Sequence, residues 1–179
     1  MARAEENRRE LATLPAGTRV AAVVSCYHSE VTGAMFRSAA RTLVEAGLDA
    51  DDLFEVRVPG AYELPLVARR LAARDDIHGV LCFGLVLKGE TDHDRYISTA
   101  VAGGLMQAAL ETDTPVLFGV LTCNTLQQAE ERARAREHGG KDKGHEVAAA
   151  LIDVLAALRR AGEGFLRVPA GPTARGQAS

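Results

Sequence analysis

Short runs rich in Val and Leu alternate four times with segments of helical periodicity, and this alternation most strongly constrains how the chain folds. The runs cover residues 20–26, 53–58, 79–87 and 115–121. Two of them, 20–26 and 79–87, are apolar without alternation, which is typical of strands buried on both faces. Strands that alternate with helices predict a parallel sheet joined by right-handed crossovers. The sequence therefore predicts an α/β fold with a four-stranded parallel sheet flanked by helices.

The segments between and after the strands carry the signals of helices. Helices are predicted at 31–46, at 62–73, after residue 94, at 125–137 and across 147–158. Gly47 supplies a stop for the first helix, and Pro65 falls in the first turn of the second, where proline is tolerated. Thr125 and Gln128 have the spacing of a capping box at the start of the fourth helix. In the third helix one face is shared by apolar residues at helical spacing: Ile97, Val101, Leu105 and Ala108.

The chain of 179 residues is long enough for one domain, which we place at 18–162. A polar lead-in at 1–17 precedes it, with partial helix expected at 5–11. The tail at 163–179 is rich in Gly, Pro, Ala and Arg and is expected to be disordered.

Charge and cysteine usage exclude several classes of protein. Lys and Arg number 21 against 24 Asp and Glu, so the net charge of −3 argues against a nucleic-acid partner. The apolar run 79–87 is too short to cross a bilayer, and the charged first residues predict no signal peptide. Cys26, Cys82 and Cys123 form no CxxC pair, which disfavours a disulfide framework and a zinc site. We therefore expect a cytoplasmic protein with no membrane partner, and the aromatic content of only 4% favours further burial by oligomerisation.

Chemically interesting residues follow the predicted strands, at the sheet edge where ligands gather in such folds. Gly89-Glu90-Thr91 precedes a helix, a setting that suits a phosphate but equally suits an ordinary turn capped by Thr91. His93 could transfer protons near neutral pH, or it could be a solvated surface histidine. It has no HxH or HExxH partner, so no metal is predicted.

Other candidate residues near this edge of the sheet also have both a functional and an ordinary interpretation. Arg132 and Lys143 could bind an anion or belong to a solvated charged face. Tyr27 and Tyr62 could stack on a flat heterocycle or pack at the rim. Glu63 could hydrogen-bond a polyhydroxylated chain or merely complement a helix dipole. From the residues alone, we therefore predict an α/β domain whose ligand-binding edge suits an anion and carries a histidine.

Taken together, these segments resemble the 6,7-dimethyl-8-ribityllumazine synthase family of riboflavin biosynthesis. The resemblance spans about residues 20–158 and is carried by ordered motifs at 58–65, at 84–91 followed by His93, at 115–122, at 128–133 and at Lys143-Gly144. It implies a flavodoxin-like three-layer sandwich that assembles into a homopentamer with active sites between neighbouring subunits. The implied enzyme is a transferase that joins 5-amino-6-(D-ribitylamino)uracil to L-3,4-dihydroxy-2-butanone 4-phosphate, releases phosphate and water, and needs no redox cofactor or metal.

The resemblance also implies residue roles on the pyrimidine side of the site. Tyr27 would stack on the pyrimidine, at a position that the family usually fills with Phe. The ribityl chain and uracil would be held by Ala61, Tyr62 and Glu63. The pyrimidine pocket would be lined by Leu85, Val86 and Leu87. Phe118 would come from the adjacent subunit.

On the phosphate side, Glu90 and Thr91 would present backbone and hydroxyl donors to the phosphate, and Arg132 would pair with it. His93 would shuttle protons. Lys143, assigned to neither side, would be a further polar contact for the substrates.

Three departures from the family pattern alter what is expected. His28 stands where Asn is common, and Asp94-Arg95 stand where an aromatic-acidic pair is usual. The segment 133–142 is longer than in many relatives, so a pentamer or a pair of pentamers is expected rather than an icosahedral shell. Two alternatives stay open: a related pentameric riboflavin synthase, and a non-catalytic flavin- or lumazine-binding protein.

Overall fold

The computed structural model describes residues 11–163 and has a four-stranded parallel sheet with strand order β2-β1-β3-β4. The strands are β1 Val20–Ser25, β2 Leu53–Val58, β3 Gly79–Leu87 and β4 Val116–Cys123. The predicted strands are therefore confirmed, with β4 beginning and ending later than expected. The order matches the start of the flavodoxin-like arrangement.

Five α-helices flank this sheet within the described residues. They are α1 Ser29–Glu45, α2 Leu64–Ala72, α3 His93–Thr112, α4 Leu126–Ala133 and α5 Lys143–Gly162. One hydrophobic cluster joins Phe83 of β3 to Met35 of α1 and Leu151 of α5. A second cluster on the other face includes Leu64 of α2 and Leu105 of α3. The sheet is thus buried on both faces, and the predicted three-layer α/β sandwich is confirmed.

Several helix boundaries differ from the expected ones. The helix predicted at 62–73 is a 3-10 turn, Ala61–Glu63, that continues into α2. The helix predicted at 125–137 ends at Ala133, because the backbone of Arg134 is extended, and a separate 3-10 turn follows at Arg136–His138. The last helix begins earlier than the predicted 147–158, so Lys143 is the first residue of α5.

Some expectations fall on parts of the chain outside residues 11–163. Most of the helix expected at 5–11 and nearly all of the tail at 163–179 lie there, and the proposed domain limits stay a prediction. Within the described range, no helix is both long enough and apolar enough to span a membrane.

The strand order determines where a ligand can bind. The crossovers after β1 and β3 run to opposite sides of the sheet, so a crevice forms between the carboxyl ends of these two strands. The turns that follow β1, β2 and β3 all reach this edge, because the strands are parallel.

Candidate active site

A cavity of about 950 Å³ lies at the carboxyl ends of β1, β2 and β3. Most of the residues singled out from the sequence line it: Tyr27, Ala61, Tyr62, Glu63, Leu85, Val86, Leu87, Thr91 and His93. The structure therefore brings together, in one chain, the residues predicted for the pyrimidine, the ribityl chain and proton transfer.

The cavity has an apolar wall and aromatic sides. Leu85 and Val86, near the end of β3, are only 5% and 8% exposed, and Ala61 is buried nearby. Tyr27 and Tyr62 are 69% and 63% exposed, so their rings are accessible to a ligand. A slot with a flat aromatic side and an aliphatic wall suits a planar heterocycle.

A hydrogen-bonded turn holds the residues that follow β2. The Gly60 N–H donates to Glu63 Oε2 at 2.9 Å, and the Tyr27 N–H donates to the Pro59 carbonyl at 3.1 Å. A Cβ at Gly60 would lie only 3.0 Å from Tyr27 Cδ2, so the Tyr27 ring packs directly on this backbone. The positions of Glu63 and Tyr27 are therefore coupled through a glycine that leaves room for the ring.

His93 is the first residue of α3, and its side chain is exposed at the cavity. Arg95 and Tyr96 make the first backbone bonds of this helix, both to the Asp92 carbonyl. The earlier N–H groups of a helix have no partner within it, and they attract anions. Thr91 and Gly89 line the cavity beside this helix start, whereas Glu90 does not line it.

Three predicted residues lie away from the cavity of their own chain. Phe118 is 41% exposed on the edge strand β4, in register with Cys82, which is about 10 Å along β3 from Leu85. Arg132 is half-buried on α4, and its Nη1 donates to the Gln128 carbonyl at 3.1 Å.

Lys143 also lies outside the cavity, at the start of α5, where its Nζ is paired with Glu146 Oε2 at 3.1 Å. The helices α4 and α5 pack with α1 on one face of the sheet, and the cavity is lined from the other face by α3 and the Ala61–Glu63 turn.

The sequence analysis missed several residues that α3 contributes to the cavity. Tyr96, Ile97 and Ala100 line it. They stand three, four and seven positions after His93, so helical spacing counted from that histidine could have identified them. Asp94 and His28, noted only as departures from the family pattern, line the cavity as well.

Cys82 is buried in the core, and the described residues contain no cluster of metal ligands. Burial raises the pKa of the Cys82 thiol, which keeps it a neutral core group. Between residues 11 and 163, no group of three or more His, Cys, Asp and Glu side chains is placed to hold a metal ion.

Comparison with known proteins shows the family to which the chain is related. The family model described as 6,7-dimethyl-8-ribityllumazine synthase matches residues 17–159. The chain belongs to this family. It is 42% identical over 154 residues to the 6,7-dimethyl-8-ribityllumazine synthase 1 of Caulobacter vibrioides, a match that covers 86% of this chain and 99% of the relative. The lumazine synthases of Thermus thermophilus and Streptomyces coelicolor are 41% and 42% identical, over 79% and 81% of this chain and 88% of each relative.

Membership of the lumazine synthase family decides between the interpretations left open by the sequence. These relatives carry the name of a catalytic enzyme, so a riboflavin synthase or a non-catalytic binding protein is not favoured. The cavity lies within the matched residues and is lined from two of the motifs, 58–65 and 84–91 with His93.

Proposed function

We propose that this chain catalyses the condensation of 5-amino-6-(D-ribitylamino)uracil with L-3,4-dihydroxy-2-butanone 4-phosphate, releasing phosphate and water. The observation that carries the proposal is the cavity itself. It joins an apolar, aromatic-sided slot to a histidine at a helix start, and all of its lining residues lie within the range matched by the family model.

The pyrimidine binds in the slot. Tyr27 stacks on the ring, and the aliphatic wall is formed by Leu85, Val86 and Leu87, a geometry supported by their exposure and position. The ribityl chain extends along the Ala61–Glu63 turn, where backbone groups and a carboxylate offer hydrogen bonds to its hydroxyls.

The butanone phosphate binds beside the start of α3. The Glu90 and Thr91 backbone and the Thr91 hydroxyl donate to the phosphate there, and the helix dipole favours its negative charge. Among residues 11–163, however, no Lys or Arg lines this cavity. A leaving phosphate needs charge neutralisation, so a cation has to come from elsewhere.

We place that cation on a neighbouring subunit. Arg132, Phe118 and Lys143 lie away from the cavity of their own chain, and a second copy of the chain would present them to it. The functional unit is then a homopentamer or a multiple of pentamers with one composite site at each interface. The cytoplasmic location stays a prediction from cysteine usage.

His93 moves the protons that the reaction requires. The first amine condenses with the ketone to an imine and releases one water. Phosphate then leaves by elimination, and the enol that remains becomes a carbonyl. The second amine adds to this carbonyl and releases a second water as the ring closes. An imidazole can accept and return a proton in such steps. Because the amine and ketone are already reactive, most of the acceleration comes from holding them together in one orientation.

The test follows lumazine formation from both purified substrates, with the uncatalysed condensation subtracted. We expect catalysis that requires the butanone phosphate. Turnover of lumazine alone would instead indicate a riboflavin synthase. Binding of the ribitylaminouracil without any rate above background would indicate a binding protein and would overturn the proposal.

A further inference from the structure

A buried polar network ties the segment between α4 and α5 to α1. Asp142 is only 5% exposed, and its Oδ1 accepts hydrogen bonds from Ser38 Oγ at 2.5 Å and from the His145 N–H at 3.1 Å. Its Oδ2 accepts from the Arg136 N–H at 3.5 Å. The Nδ1 of His145 lies 2.9 Å from Thr42 Oγ1, which extends the network along α1. We call Ser38, Thr42, Asp142 and His145 the Asp142 network.

The same segment folds back onto the end of α4. The Lys141 N–H donates to the Glu131 carbonyl and the Asp142 N–H donates to the Arg134 carbonyl, both at 3.0 Å. Gly140 packs so closely on the Arg134 carbonyl that a Cβ there would collide with it. The segment is therefore closed against the helix turn that carries Arg132.

The start of α5 is held just as closely. Asp142 has a φ of 53°, a left-handed conformation that Asp and Asn tolerate better than most residues, and caps α5. A Cβ on Gly144 would collide with the Met35 carbonyl of α1. Lys143 stands between these two fixed residues, so its backbone has little freedom.

We propose that Asp142 is a positioning residue for the phosphate of the butanone substrate. Its buried carboxylate fixes the segment that separates Arg132 from Lys143, and so fixes both cations relative to α1. This inference rests on the proposed function, in which Arg132 of a neighbouring subunit pairs with the phosphate and Lys143 is a further polar contact. Asp142 itself is buried and contacts no substrate; it acts only through the placement of its neighbours.

The test measures both KM values and kcat for Asp142→Ala, with Asp142→Asn and Asp113→Ala alongside. Asp142→Ala removes the acceptor, and we expect KM for the butanone phosphate to rise about tenfold, with kcat and the pyrimidine KM within about twofold of wild type. Asparagine keeps an acceptor oxygen and tolerates a positive φ, so it should restore near-wild-type KM.

Asp113→Ala is the matched control. Asp113 has the same φ of 53° but is exposed at the end of α3, at the opposite edge of the sheet. The Asp113→Ala variant should leave kcat and both KM values unchanged. If Asp142→Ala fails to fold, Ser38→Ala carries the test, with an expected rise in the same KM of about threefold from the loss of one hydrogen bond.

The kinetic results distinguish a failure of this proposal from a failure of the proposed function. A variant Arg132→Ala with unchanged KM for the butanone phosphate would overturn the phosphate role itself. A raised KM in Arg132→Ala with an unchanged one in Asp142→Ala, or an Asp142→Ala variant that loses only kcat, would overturn positioning alone.

Discussion

At the scale of single residues, His93 is expected to affect kcat rather than substrate binding. We predict that His93→Ala lowers kcat about tenfold, less than the ~10²–10⁴-fold typical of general acid–base catalysis, because both substrates are reactive without it. Steady-state rates with the uncatalysed condensation subtracted measure the effect. The control is His78→Gln, at the opposite edge of the sheet, which should keep full kcat. A loss beyond about 10³-fold would show that proton transfer, and not proximity, supplies most of the acceleration.

Arg132 is expected to affect binding of one substrate only. Truncation to Ala removes a charge-assisted contact to phosphate, so we predict a rise in KM for the butanone phosphate of about 10–100-fold and an unchanged pyrimidine KM. The control is Arg134→Ala, an exposed arginine two positions away. A loss concentrated in kcat with KM unchanged would contradict the assignment.

The sequence could predict much of the site at this scale. Because the carboxyl ends of parallel strands meet at one edge, residues such as Tyr27, Glu63 and Leu85 could be assigned to a common cavity from the order of the strands alone. The contribution of Tyr96 depends on which side of α3 faces the cavity, and the apolar stripe of that helix points to the core instead. On the proposed function, Arg132 reaches the phosphate from a second copy of the chain, which sequence patterns within one chain do not describe.

At the scale of elements, the contact between α5 and α1 depends on Gly144. We predict that Gly144→Ala lowers the free energy of unfolding by about 1–3 kcal/mol, because its Cβ would meet the Met35 carbonyl, a backbone atom that has no alternative rotamer. Urea unfolding at fixed protein concentration measures this change.

Gly103→Ala is the matched control for that prediction. Gly103 lies inside α3 with no atom outside its own helix within 4 Å of a built Cβ, so alanine there should stabilise the helix by about 0.5–1 kcal/mol. Equal effects of the two substitutions would refute a steric role for Gly144.

The boundary between α4 and α5 shows why element ends were harder to predict than elements. The charged run up to Glu137 continues the helical pattern, yet the helix stops at Ala133. The segment that follows is held by contacts such as Ser38 with Asp142, which are 104 residues apart in sequence. A local pattern cannot contain a contact of that range, whereas β2 and β3, defined by their own apolar residues, were predicted to the residue.

At the scale of the whole molecule, the proposed composite site predicts complementation between two impaired variants. We expect that co-expressed His93→Ala and Arg132→Ala chains form mixed oligomers in which about a quarter of the interfaces combine an intact His93 with an intact Arg132. At a butanone phosphate concentration far below the raised KM of the Arg132→Ala variant, the rate of the mixture should exceed the mean rate of the two separate variants. A rate equal to that mean would place His93 and Arg132 in one chain. Sedimentation should give a mass that is a multiple of five subunits.

Within residues 11–163, the lack of lysine and arginine around the cavity of a single chain has a consequence for dilute solutions. On the proposed function, the pyrimidine finds most of its aromatic and aliphatic partners within one subunit and takes only Phe118 from a neighbour. On the same proposal, the butanone phosphate takes its counter-charge from Arg132 across an interface. Dissociation into single subunits would therefore uncouple the two substrates: a lone chain would retain affinity for one of them and lose it for the other. On the proposed function, assembly of the subunits would therefore control the binding of one substrate and leave that of the other largely unchanged.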